Sequence, residues 1–166
     1  MNAAHWHLMI NHVPVMGVIF GMIFLLVAMI GRNKTLIKAS LWILVVVALA
    51  TIPVFLSGDP AMEMIEKLPG VSHDLIHEHE ELAEKAFIAV LGLGVIAALG
   101  LLVHRTKNRV SGIFLATVFV LTIITGVLMA GTANIGGQIR HPEIRSDPVL
   151  PFTGESTTPV ETPDDD

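Results

Sequence analysis

Long apolar runs alternate with short polar connections along the chain, and this alternation is its dominant signal. Four runs stand out, at residues 13–30, 39–56, 86–103 and 110–132. Each approaches or exceeds the roughly 20 residues an α-helix needs to cross about 30 Å of hydrocarbon. Because the runs are continuously apolar, they predict helices and not β spans, with backbone polar groups paired inside each segment. The expected fold is an all-α, integral membrane four-helix bundle over residues 1–145, followed by a distinct tail, residues 146–166.

The connections orient this bundle. The one after the first run carries Arg32, Lys34 and Lys38, the one after the third carries Arg105, Lys107 and Arg109, and neither contains an acid. An excess of Lys and Arg marks cytoplasmic loops, so both are expected inside. The connection between the second and third runs holds Asp59, Glu63, Glu66, Asp74, Glu78, Glu80, Glu81 and Glu84 against Lys67 and Lys85. That places it outside with both termini, on the periplasmic face of a bacterial inner membrane, and puts Trp6 and Trp42 near opposite surfaces. No positive charge precedes the first run, which argues for a retained helix and against a cleaved signal. In the outer connection, residues 60–67 predict a short interfacial helix that Leu68, Pro69 and Gly70 end. Ser72 is an N-cap candidate for a helix running continuously from His73 to His104. Residues 134–142 read as a structured turn, and the Pro-, Thr- and acid-rich tail as extended or disordered unless a partner orders it.

Composition narrows the chemistry. With 52% hydrophobic and 15% charged residues, the chain belongs among membrane proteins. The absence of cysteine excludes iron–sulfur ligation, covalent haem attachment and thiolate catalysis within the chain. The net charge of -5 argues against nucleic acid as a partner. The runs contain threonines but no charged residue, so no ion or proton pathway is indicated, and nothing supports nucleophilic hydrolysis.

Histidine is the remaining signal. Of 8 histidines, His5, His7, His12, His73, His77, His79 and His141 fall at the expected outer face, and His104 alone at the inner one. His12 is held at a helix start by Pro14, and His77 stands at the start of the third span. Imidazoles from two helices of a bundle can bind opposite sides of one haem iron. Gly17, Gly21, Thr125, Gly126, Gly131 and Thr132 are small residues where a macrocycle would pack, although Gly17 and Gly21 read first as a helix–helix contact. His73, His77, Glu81 and Glu84 share one helical face, and His5, His7, His73, His77 and Glu81 form a candidate site for copper, iron or zinc. Arg140 and Arg145, beside His141, suit haem propionates or simply close the last span as a charged stop.

The segment His7-Leu-Met-Ile-Asn-His12-Val-Pro14-Val15 resembles the His-x4-His-x-Pro opening of a prokaryotic four-helix membrane domain of unknown function. The resemblance extends to Gly58-Asp59 and to histidine at the start of the third helix, with His79 and His141 as additions to the pattern. It implies the fold without an activity; similarity to small membrane b-type cytochromes is looser.

The expectation is therefore a subunit binding b-type haem near the outer face. His12 and His77 are the axial ligands, with His7, His73 and His141 as further ligands or partners. It would relay electrons between quinone and a periplasmic redox protein such as a c-type cytochrome, among other membrane subunits. The alternatives are an outer-surface site for Cu, Fe or Zn, and a cofactor-free structural or assembly subunit.

Overall fold

The computed structural model describes residues 2–107, 109–141 and 144–145, without the side chain of Arg140. The tail expected to be extended lies outside these residues. Among the described residues six helices form: α1 Ala3–Ile10, α2 His12–Ile30, α3 Lys34–Leu56, α4 Gly58–Ile65, α5 His73–Lys107 and α6 Gly112–Arg140. Four stretches are long and apolar enough to cross a membrane, Ala3–Ile30, Lys34–Ile65, His73–Lys107 and Gly112–Ile139, with mean hydropathy between 2.5 and 2.7. The chain is thus a multi-pass helical membrane protein by length and composition.

The four long helices stand as an up-and-down bundle. α2 packs on α3 and α6, and α5 packs on the same two, so α2 and α5 occupy opposite corners. The buried positions show why. In α2 they are Pro14, Val18, Gly21, Leu25 and Ala28; in α6 they include Leu115, Val118, Thr122, Thr125 and Met129. Steps of three and four residues make the period of 3.5 that keeps one seam of a helix facing its neighbours. The other faces remain apolar: Phe20, Phe24, Val46, Leu49, Val95, Leu99, Val120 and Val127 are all exposed. Only a hydrocarbon surrounding removes the cost of so large an apolar surface.

Lipid tails are as apolar as leucine, so tight packing, more than the hydrophobic effect, holds such helices together. Small residues set the spacing. A Cβ on Gly17 would overlap Val47, one on Gly21 would stand 2.7 Å from Leu44, and one on Gly94 would overlap Ala48. The Gly17 and Gly21 pair therefore serves the α2–α3 contact. The interior hydroxyls stay within their own helices: Thr51 donates to the Val47 carbonyl at 2.8 Å, Thr122 to Val118 at 2.7 Å and Thr125 to Leu121 at 2.8 Å.

Two helix boundaries follow from local chemistry. Pro14 has no N–H for the carbonyl of Ile10, four residues earlier, and its ring crowds that carbonyl. α1 accordingly ends at Ile10, and Asn11 forms a turn before α2. At the other end of α2, the N–H of Asn33 bonds to the Ala28 carbonyl at 3.0 Å and that of Arg32 to Met29 at 3.3 Å. This is a Schellman closure with Arg32 in the left-handed region, at φ 48. Asn33 then caps α3, its side chain accepting from Thr35 and Leu36.

The last helix departs from expectation. Residues 134–140 continue α6 and do not form a turn. Two consecutive glycines disfavour a helix by about 1 kcal/mol each. Burial of Ile135 and Ile139 on the inward seam offsets this cost.

Candidate functional site at the histidine-bearing end

The two basic connections lie at one end of the bundle, where Arg32, Lys34 and Arg109 border a common cavity. At the other end α1 and α4, which adjoin α2 and α3 in the chain, pack on each other. α5, at 35 residues, is about 52 Å long at 1.5 Å per residue, so its first turns extend beyond what a span requires.

Most of the outer histidines face away from the bundle. His5, His12, His73 and His77 are exposed, as is His141. The His77 side chain is 77% exposed and lies 3.6 Å from Glu81, which also pairs with Lys85 at 3.3 Å. The column of residues 73, 77, 81 and 84 is thus a solvated face of α5. His12 and His77, the expected axial pair, are carried by helices at opposite corners. Among the described residues, no three His, Asp or Glu side chains converge in a way that would hold a metal ion, so the expected cluster of His5, His7, His73, His77 and Glu81 is not assembled.

Two imidazoles turn inward, His7 from α1 and His79 from α5. Both are partly buried. His7 Nδ1 lies 2.9 Å from Ser57 Oγ, and Ser57 Oγ–H donates to the Val54 carbonyl at 2.7 Å. With its single proton engaged there, the serine oxygen accepts, so His7 donates from Nδ1. His79 Nδ1 lies 3.0 Å from the Thr132 carbonyl, which can only accept, so this ring too carries its proton on Nδ1. The neutral form of each ring therefore keeps its lone pair on Nε2. A ligating histidine is oriented in this way, with its other nitrogen bound to a carbonyl or hydroxyl.

The surrounding backbone makes room for these rings. His79 lies over Gly136, where a Cβ would stand 2.9 Å from Cε1, whereas a Cβ on Gly58 would meet His7 Cε1 at 3.9 Å, an ordinary contact. Asn11, at the break between α1 and α2, has a buried Oδ1 with no hydrogen-bond partner among the described residues. An unmet buried acceptor costs about 1–3 kcal/mol, so it is available to a donor from a bound group.

Arg145 is engaged with main-chain oxygens. Its Nε donates to the Gln138 carbonyl at 2.8 Å, and its Nη2 to Ile139 at 3.1 Å and to Gly70 at 3.2 Å. It closes the end of α6 and ties it to the turn after α4, where Gly70 has φ 81. The side chain of Arg140 lies outside the described residues.

The candidate macrocycle slot is filled along the interior. Val47 and Leu44 occupy the space at Gly17 and Gly21, and Leu82 stands 2.9 Å from where a Cβ on Gly131 would be. Two imidazoles are the number of protein ligands a haem iron takes, fewer than a bare divalent ion needs.

His79 was the hardest of these residues to single out from sequence. Its signal was in the spacing: with Ile76, Ala83, Ala86, Val90, Leu93 and Ala97 it continues one run of three- and four-residue steps. His7 stands likewise one heptad before Pro14, whereas His12 falls off that seam.

The fold and this site define a class, a four-span helical membrane protein with an inward-facing imidazole pair at one end. No protein-family model, curated protein or solved structure matches the chain.

Proposed function

We propose that the protein is a membrane electron-transfer subunit whose outer end holds a b-type haem through His7 and His79. One observation carries this reading: two partly buried imidazoles from different helices each have Nδ1–H engaged on an oxygen, which leaves the Nε2 lone pair of each ring for a ligand bond. When bound, the haem would supply one-electron chemistry between membrane quinone and a periplasmic redox protein. The chain would orient the two rings, and burial with nearby charge would tune the potential. The lack of a third convergent ligand favours this over a copper or zinc site.

Reduced-minus-oxidised absorption of the protein purified from haem-replete membranes tests the reading. A paired-imidazole spectrum is expected in wild type and in the His12→Ala, His77→Ala double variant. It should be lost in His7→Ala and in His79→Ala. A folded wild-type protein with no haem band overturns the proposal, as does a band that survives both inward substitutions.

A further inference from the structure

The opposite end of the bundle carries a second arrangement, which owes nothing to the histidine pair. A cavity of about 440 Å³ opens between the two basic connections, its wall including Arg32, Lys34, His104, Arg109, Met29 and Val110. A second, of about 650 Å³, adjoins it, shares Arg109 and Val110, and adds Lys107 and Phe114. Three features distinguish this groove from an ordinary charged loop. His104 Nε2 is buried with no hydrogen-bond partner among the described residues, and His104 is one of the residues that line the cavity. Two helices begin at its edge, at Lys34 and Gly112, and the positive ends of their dipoles favour an anion. Its floor is apolar, from Met29, Ile37 and Leu115, and the flanking Ile30 and Ile113 are 76% and 83% exposed.

Cations, an orphaned ring nitrogen and two helix starts call for a phosphate. An apolar floor opening onto a hydrocarbon-facing surface calls for acyl chains on the same molecule. We propose that this groove binds the phosphodiester headgroup of an anionic phospholipid, with Arg32, Lys34 and Arg109 around the phosphate and His104 hydrogen-bonded within it. Basic pockets between spans are suited to such headgroups.

The full chain in neutral detergent is mixed with phosphatidylglycerol, phosphatidylcholine or inorganic phosphate. Native mass spectrometry counts retained lipid, and histidine-selective NMR follows the His104 ring. Phosphatidylglycerol is expected to be retained over phosphatidylcholine and to shift the His104 resonances. Arg32→Gly with Arg109→Ala, which keeps the left-handed turn, should weaken retention about 30-fold. Lys38→Ala with Arg105→Ala removes the same charge from the same end outside the cavity, and should weaken it roughly threefold or less. Equal loss in the two double variants would show diffuse attraction and overturn the site. An unshifted His104 ring would also overturn it, and a shift by inorganic phosphate at equal concentration would reassign the groove to a free anion.

Discussion

Whether a histidine at the outer end can serve as a ligand depends on what its second nitrogen touches. In His7 and His79 the Nδ1–H is engaged, by Ser57 Oγ at 2.9 Å and the Thr132 carbonyl at 3.0 Å, whereas His77 meets only an exposed glutamate at 3.6 Å. Gly136 is the residue on which this difference rests, because a methyl there would stand 2.9 Å from His79 Cε1. Gly136→Ala should improve intrinsic helix stability by about 1 kcal/mol while pushing the ring off the Thr132 carbonyl. The expected result is a melting temperature near that of wild type, with the His79 Nδ1 proton exchanging about fivefold faster, as for a lost bond of about 1 kcal/mol. Hydrogen-exchange NMR of the imidazole protons measures this. Unchanged exchange would mean that the ring does not depend on that glycine.

At the scale of elements, the α2–α3 connection shows the bundle's preferences most openly. Arg32 occupies the left-handed position of a Schellman closure, at φ 48, where a residue with a Cβ costs about 1–2 kcal/mol relative to glycine. Arg32→Gly should raise the thermal stability of the protein in detergent by about 1 kcal/mol. Asn33→Ala, which removes the side chain accepting from Thr35 and Leu36, should lower it by about 1 kcal/mol. Thermal denaturation followed by circular dichroism checks both signs. If Arg32→Gly both stabilises the protein and weakens anionic lipid retention, the arginine stands there for its charge and not for the turn.

Across the whole molecule, charge sorts the two ends. Arg32, Lys34 and Arg109 gather around one cavity, while the acid-rich connection and the His7–His79 pair lie at the opposite end. We propose, from the positive-inside rule, that the basic end faces the cytoplasm. Because the chain contains no cysteine, single cysteines report topology cleanly. In intact spheroplasts, Glu66→Cys and Glu80→Cys should react with a membrane-impermeant maleimide, and Lys34→Cys and Lys107→Cys should react only after lysis. The reverse pattern would invert the orientation and place the imidazole pair inside.

The number of spans, their helical nature and the sorting of charge were legible in the residues, because hydropathy and loop charge are local sums needing no knowledge of neighbours. A short helix in this connection and the cap at Ser72 were legible for the same reason, although α4 spans Gly58–Ile65, two residues before the expected 60–67, and ends ahead of Gly70. Gly17 and Gly21 also read correctly as a helix contact. The continuation of α6 through Gly136 and Gly137 was not, since burial of Ile135 and Ile139 against other helices outweighs their local preference. The same holds for the histidines. Proximity to a helix start drew attention to His12 and His77, but which ring turns inward depends on its register with the packed seam and on a partner oxygen. Those oxygens lie 50 and 53 residues away in the chain, on Ser57 and Thr132. Only the packing of α1 against α4 and of α5 against α6 brings them within a hydrogen bond.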